Sequence, residues 1–368
     1  MTARTVRRVR PDTALNVRPF SDRSPVSRSY RRYLGRASVT LFATMILTAY
    51  LLPLLYMATT AFQQPGQAST PGAPIWPAAP LTGTYQGQPY PIYTVTIDGG
   101  TRNLMLVEPG RESSVFVDPA DTAATPITWQ GRWRTLTQAW TFSPLVDNFT
   151  TVWNQLNFPR LLFNTVAIAT LSTLGAVMSS VLVAYGFARF RIPGKNILFV
   201  ILIATIILPF QVTLLPTYVI FTKLGWNGTW LPLIIPHFFA NAYNVFLLRQ
   251  YFLSIPRDLD EAAMIDGAGP FRILRSVIIP QSLPAITAVA LFHFFFAWND
   301  FFVPLLYLAN KPELQPLSIG IQQYNALFAT QPTLIQAAAL MTMVLPVIVF
   351  LLAQRAFMRG VVITGVEK

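Results

Sequence analysis

Five long apolar stretches of this chain contain no charged residue: Ser38–Ala61, Leu161–Phe187, Ile197–Phe221, Leu231–Leu248 and Leu334–Ala353. A sixth, Leu283–Ala309, holds one acid, Asp300. A helix that spans a bilayer takes about 20 mainly apolar residues. The runs therefore predict an all-α polytopic membrane protein with six transmembrane helices. Several contain proline (Pro53, Pro209, Pro216, Pro236, Pro304, Pro346). Membrane helices tolerate it, because neighbouring groups satisfy the freed carbonyls. Charged residues make up only 11% of the chain, against roughly 25% in a soluble domain. Leu231–Leu248 is short and carries Asn241 and Asn244, and can continue toward Phe252.

Charge orients the spans, since cytoplasmic loops carry excess Lys and Arg. One side takes residues 1–37, 188–196, 249–282 and 354–368, with twenty basic residues; the other holds seven. Both chain ends are then cytoplasmic. The formal charge of +12 reads as topology rather than nucleic-acid affinity. Segment 1–37 carries ten arginines and is expected to be a disordered cytoplasmic tail attracted to anionic lipid; nucleic-acid binding has no aromatic or motif support. No cleaved signal peptide is expected, because the first apolar run is too long for one. The C-terminal tail takes residues 354–368. There is no cysteine and there are only two histidines, His237 and His293, which leaves little room for metal or nucleophile chemistry.

The outward segment, residues 62–160, differs in composition. Gln63–Pro80 reads as a linker rich in Gln, Pro and Gly. Tyr90–Ile97 and Asn103–Glu108 flank Asp98-Gly99-Gly100, a hairpin pattern. Ser114–Val117 and Ile127–Trp133 read as further strands. Together they predict a small β-rich insert, which either caps the bundle or docks a soluble partner. Ala139–Leu156 reads as an interfacial helix, with Trp140, Phe142 and Trp153 at the membrane boundary. In the second span, Gly175, Ser179 and Ser180 are small residues that permit close helix packing.

The loop at residues 254–282 is the most informative. Ser254 is placed to cap a helix beginning near Pro256. Asp258, Asp260 and Glu261 sit at the positive end of its dipole. Leu259, Ala262, Ala263 and Asp266 share a face, and Gly267 suits a left-handed stop. A second short helix, Phe271–Ile278, places Phe271, Leu274 and Ile278 on one side. The expected product is a helical hairpin with small residues on its crest and acids at its rim. It either packs on its own bundle or receives another protein.

The run Glu261-Ala262-Ala263, with Asp266-Gly267 and Val277-Ile278-Ile279-Pro280, resembles the signature cytoplasmic loop of permease subunits in binding-protein-dependent ATP-binding-cassette importers. Ala184-Tyr185-Gly186-Phe187-Ala188-Arg189-Phe190, Phe246–Phe252, Trp298-Asn299-Asp300-Phe301 and Gln354–Gly360 are similar to other stretches of the carbohydrate permeases, above all the second permease of the maltose-type class. The resemblance implies a partner set: a second homologous permease, two ATPase subunits, an extracytoplasmic solute-binding protein, and the bilayer of a bacterial or archaeal cytoplasmic membrane. It implies that Glu261, Ala262, Ala263, Asp266 and Gly267 couple the chain to an ATPase. The chain has no G-x-x-x-x-G-K-[ST] motif, so ATP is used by the partners and no cofactor is bound here.

Polar residues inside spans are functional candidates. Asp300 either faces a solute path or pairs with a partner helix. Asn241, Asn244 and Asn299 either hydrogen-bond sugar hydroxyls or join helices. His237 and His293 read as bundle residues rather than proton carriers. An ion-coupled secondary transporter is the alternative function; it would show paired intramembrane charges.

Overall fold

The computed structural model describes residues 25–97, 99–326 and 329–362. The first two dozen residues, with six of the ten tail arginines, lie outside the described residues, as do Asp98 and residues 363–368. The chain divides into two compact units, residues 1–55 and 56–368. Most of the first helix, α1 (Pro25–Ala61), belongs to the first unit. It runs unbroken through Pro53, and the expected tail is helical from residue 25 onward. Val39, Leu41, Phe42 and Met45 are exposed along it, as lipid-facing side chains are.

The second unit takes the end of α1 and then residues 62–160. The strands of that segment are β1 (Ala78–Pro80), β2 (Thr82–Tyr85), β3 (Gln88–Ile97), β4 (Gly100–Glu108), β5 (Ser113–Val117), β6 (Ile127–Gln130), β7 (Thr137–Gln138) and β8 (Trp140–Phe142). Strands β2 to β6 form an antiparallel meander in sequence order, and β7 pairs with β3. Side-chain alternation explains the sheet. Leu104 and Leu106 turn to one face with Val95 and Phe116; Met105 turns to the other with Ile92 and Val117. The β-rich insert is therefore present.

Two expectations for its flanks fail. Gln63–Pro80 is ordered, and its last three residues form β1. The buried Gln67 donates to the carbonyls of Pro74 (2.9 Å) and Trp76 (2.8 Å) and accepts from Ala78 N (3.1 Å). Gln63 donates to Ile75 O at 2.8 Å. Two glutamine amides thus hold the stretch that precedes β1. The helix expected over Ala139–Leu156 is shorter, because Trp140–Phe142 pairs as β8 with β1. Only α2 (Asp147–Gln155) is helical. Asn148 anchors α2, donating to Ala61 O and Gln63 O.

The remaining helices form a bundle around α3 (Phe158–Arg189), which packs on α7 and α11. They are α4 (Lys195–Ala204), α5 (Phe210–Lys223), α6 (Leu231–Ile234), α7 (Ala242–Ser254), α8 (Asp258–Ile265), α9 (Pro270–Ile273), α10 (Ile279–Gln281), α11 (Leu283–Trp298), α12 (Phe302–Leu308), α13 (Leu317–Gly320) and α14 (Pro332–Val362). Among the described residues, four helical segments are long and apolar enough to cross a membrane: 33–61, 158–189, 231–254 and 332–355. Two bent pairs raise the number to as many as six. Residues 195–223 bend by 98° between α4 and α5, at Leu208-Pro209. Residues 270–298 bend by 80° before α11. The protein is a multi-pass membrane protein, and its spans are more interrupted than the apolar runs suggest.

Candidate functional site

Two features stand out in the second unit: a helical hairpin between α7 and α11, and a cavity where spans are broken.

The hairpin begins differently from the sequence expectation. Ser254 ends α7, its hydroxyl donating to Tyr251 O at 2.7 Å. It does not cap the next helix, which starts at Asp258 with Arg257 before it. The acids of the first turn of α8 suit its positive end without a side-chain cap. Gly267 stops α8 with φ of +78°. That left-handed geometry suits glycine, and Ala268 N then donates to Ala263 O at 2.9 Å. Residues 270–281 return as α9, a π-helical turn (Leu274–Ile278) and α10.

The two sides of α8 have different partners. Asp260 is not at the rim. It is buried and ion-paired with Arg189 of α3, Nε to Oδ2 2.9 Å, the side chains 10% and 6% exposed. Arg189 also donates to Ile255 O (3.0 Å), and Tyr185 donates its hydroxyl to Pro270 O (3.0 Å). The end of α3 therefore grips both limbs of the hairpin. Ala263 and Ala268 pack on the same core as Ile273, Leu274 and Ile278. Phe271 does not join Leu274 and Ile278; it is 73% exposed, and Ile273 takes the inward position. Glu261, Ala262, Asp266 and Gly267 are exposed. Leu259, Met264 and Ile265 extend that surface, Ile265 at 87% exposure. The sequence reading missed Met264 and Ile265, although two large apolar residues beside the Glu261-Ala262-Ala263 run were visible. It also missed Arg189 as the partner of Asp260, because 71 residues separate them.

The cavity has a volume of about 490 Å³. Its walls are Phe210, Thr213, Thr217 and Phe221 of α5, the α6–α7 junction, Phe292, His293 and Phe296 of α11, and Asp300, Val303 and Tyr307 beyond it. Both remaining walls are helix breaks. Pro236 lies in the 3-10 turn Ile235–Phe238, after which Ala240 takes φ of +21° and α7 restarts. Asn241 restarts it: its Oδ1 accepts from Tyr243 N (3.0 Å) and Asn244 N (3.2 Å). The second break separates α11 from α12 at residues 299–301. There Asp300 Oδ1 accepts from Val303 N at 3.3 Å. Irregular backbone at membrane depth is tolerated where it lines a cavity or is buried in protein.

The predicted polar residues divide. Asn241, Asn244 and Asp300 line the cavity. Asn299 does not: its amide donates back to Phe295 O, one turn earlier, at 2.8 Å. Neither Asn241 nor Asn299 joins two helices through these bonds. Asn244 is 4% exposed, and its Nδ2 has no hydrogen-bond partner among the described residues. His237 and His293 face each other edge to face with ring centroids 4.7 Å apart, and both line the cavity. His293 is 6% exposed, and its Nε2 has no hydrogen-bond partner among the described residues. The histidines and the aromatic walls were not assigned to a site from sequence, since they come from elements far apart in the chain.

Gly175 fixes the broken segment against α3. A methyl there would overlap the ring of Phe238, and Ser179 donates to His237 O at 3.2 Å. The small residues of the second span thus serve a close approach. Among the described residues no group of three or more metal-ligating side chains gathers.

Comparison with known proteins covers both features. The family described as "binding-protein-dependent transport system inner membrane component" matches residues 176–362. The osmoprotective compounds uptake permease protein GgtD of Synechocystis sp. is 32% identical over 223 residues, covering 60% of this chain and 75% of that protein. The sn-glycerol-3-phosphate transport system permease protein UgpE of Rhizobium meliloti is 36% identical over 211 residues, covering 57% and 74%. Among solved structures, a bacterial ABC transporter involved in import of the acidic polysaccharide alginate matches with a TM-score of 0.61 at 20% identity, over 89% of this chain and 97% of that one; the likeness is one of fold. With the hairpin motif, the interrupted bundle and the matched residues in agreement, the chain belongs to the family of inner-membrane components of binding-protein-dependent transport systems.

Proposed function

We propose that this chain is one of two permeases forming the solute path of an ATP-driven importer for sugars or related polyols. It is the membrane component and not the ATPase. In this reading the chain crosses the membrane six times with both termini cytoplasmic. A second homologous permease completes the path, two ATP-binding-cassette subunits bind and hydrolyse ATP below it, and an extracytoplasmic binding protein delivers the solute. The sugar or polyol class is carried over from the resemblance to carbohydrate permeases, and relatives are named for uptake of osmoprotective compounds and of sn-glycerol-3-phosphate. Those names do not favour an ion-coupled secondary transporter.

The observation that carries the coupling role is the hairpin's division of faces. Its inner side is fixed to α3 by the Arg189–Asp260 pair, and its outer side leaves Glu261, Ala262, Met264, Ile265 and Asp266 uncovered. A small apolar crest ringed by acids suits docking in a groove with basic edges. Glu261, Ala262, Ala263, Asp266 and Gly267 form the coupling segment, and displacement of α8 would reach α3 through Arg189. Asn241, Asn244 and Asp300 border the solute path; Asn299 belongs to the same helix break without facing the cavity.

The test is purification of the full chain with a tag from its native membrane. An ATPase and a second permease should come with it, and Glu261→Ala combined with Gly267→Ala should uncouple ATP hydrolysis from uptake while the chain still inserts. Normal uptake by that double variant in assembled complexes would remove the hairpin from the coupling role. Uptake driven by a proton or sodium gradient through the chain alone would overturn the importer reading.

A further inference from the structure

We propose that the base of the β-rich insert is a membrane foot: the loop at Ile75-Trp76, strand β8 and helix α2 lie among the headgroups of the adjoining leaflet, with phospholipid as their partner. This assignment depends neither on which solute the chain carries nor on which side of the membrane residues 62–160 face.

Position is the first support. One membrane-crossing helix ends at Ala61 and the next begins at Phe158, and α2 is tied to both ends. Asn148 donates to Ala61 O at 2.8 Å and to Gln63 O at 3.0 Å. The Phe62 ring packs on Phe149 with centroids 4.8 Å apart, and Trp153 stacks on Phe158 at 5.6 Å. Helix α2 is thus held at the level where the chain leaves and re-enters the hydrocarbon. The loop is held there as well. Gln63, just beyond Ala61, donates its amide to Ile75 O at 2.8 Å. Strand β8 follows, since Ala78 pairs with Phe142 and Ser143 N donates to Pro77 O at 3.2 Å. Leu145 N closes the ring of contacts by donating to Phe62 O at 2.8 Å.

Chemistry is the second support. Ile75, Trp76, Phe142, Val146 and Trp153 are all exposed, Ile75 and Phe142 at 72% and 70%. Large apolar side chains left open together mark an interaction surface. The charge distribution identifies the partner. Of the eleven charged residues in 62–160, nine fall between Asp98 and Arg134, and none lies in 62–97 or 135–146. A surface for a soluble protein has a polar, charged rim around its apolar centre. Trp and Phe without charges among them are the composition of a membrane–water boundary. A charged side chain pressed against lipid would lose hydration without gaining a partner, and the insert keeps its charges on β4 and the segments that follow. A groove between α2 and α14 continues the surface, bordered by Phe149, Thr150, Trp153, Asn154 and Met341. Met341 lies within a membrane-crossing helix. An acyl chain running along that helix therefore reaches the groove, where Thr150 and Asn154 of α2 offer polar groups to the lipid head.

The experiment uses the full chain, purified with whatever subunits accompany it and placed in phosphatidylcholine nanodiscs. The chain has no cysteine, so Trp76→Cys, Phe142→Cys and the control Asp121→Cys each give it one site for a fluorescent label, the signal of the unaltered complex being subtracted. Two quenchers are compared: phosphatidylcholine carrying a nitroxide near its headgroup, and aqueous iodide. The lipid nitroxide should quench the labels at 76 and 142 about threefold more than the label at 121, and iodide about threefold less. Equal iodide quenching at all three sites overturns the proposal and leaves the surface open to a soluble partner. Weak quenching of 76 and 142 by both reagents also overturns it, since a protein subunit then covers the face. A second measurement avoids the label. Photoactivatable phosphatidylcholine should attach to the peptides containing Trp76 and Trp153 in the unaltered complex. In Trp76→Asp with Phe142→Asp that attachment should fall about threefold, as charged side chains leave the lipid, while attachment to α14 holds. Attachment confined to the membrane-crossing helices of the unaltered complex, or unmoved by the double variant, overturns the proposal.

Discussion

The hairpin and the cavity belong to the same unit but are assembled over different distances in sequence. Within the hairpin, 28 residues from Ser254 to Gln281 carry the acids, the alanines, the stop glycine and the return helix. The cavity draws its walls from residues between Phe210 and Tyr307, on α5, the α6–α7 junction, α11 and α12. A local motif is fixed by turn chemistry and helix polarity, which act over a few residues. A cavity exists only after separate helices have packed and broken at matching depths. The hairpin's weak point is accordingly its anchor to the bundle. The cavity's weak points are the contacts that hold its broken segments in place.

The largest expected effect tests that anchor. Asp260→Ala leaves the Arg189 guanidinium buried without its carboxylate. Removing one partner of a buried pair costs about 3–5 kcal/mol, read as a lower melting temperature of the purified chain. Exchanging the charges, Arg189→Asp with Asp260→Arg, should recover part of the loss. An exchange no better than the single variants would show that the hairpin is not anchored through this pair.

Next comes the cavity's supporting wall. Gly175→Val drives a side chain into Phe238. Overpacking costs typically about 1–3 kcal/mol, and Phe238→Ala in the same chain should relieve it. Absence of relief in the melting temperature would mean that α3 does not hold the broken segment at that point. A smaller loss is expected at the hairpin turn. Gly267→Ala meets no atom within 4 Å, so only its left-handed backbone costs, about 1–2 kcal/mol.

The smallest effect on stability should come with a clear effect on assembly. Ile265 is 87% exposed, and Ile265→Ser should shift stability by no more than about 0.5 kcal/mol. Recovery of the ATPase with the tagged chain should fall. Unchanged recovery would place the docking face elsewhere on the hairpin.

Much of the fold was legible because membranes impose simple rules. Uncharged runs mark spans, and alternation in residues 90–130 marks the sheet. The misreadings share one cause. Ser254, Asp260 and Phe271 were placed by local pattern, but each answers to a partner outside that pattern: the carbonyl of Tyr251, the guanidinium of Arg189, and an inward position taken by Ile273 instead. Gln67 looked like linker, yet its amide organises the loop from Pro74 to Ala78. Asn299 shared a sequence neighbourhood with Asp300, but back-bonding to Phe295 takes it out of the cavity.

By itself the sequence determined the class of the protein, a polytopic membrane chain with a basic side and an acidic, alanine-bearing hairpin. Hydrophobic length, charge bias and turn chemistry are local or additive quantities, so they can be read along the chain. Only the tertiary structure decided which hairpin acid is buried, where the spans break, and which polar side chains meet around one cavity. Those outcomes depend on which groups compete for the same partner once helices pack, and no single segment holds that information.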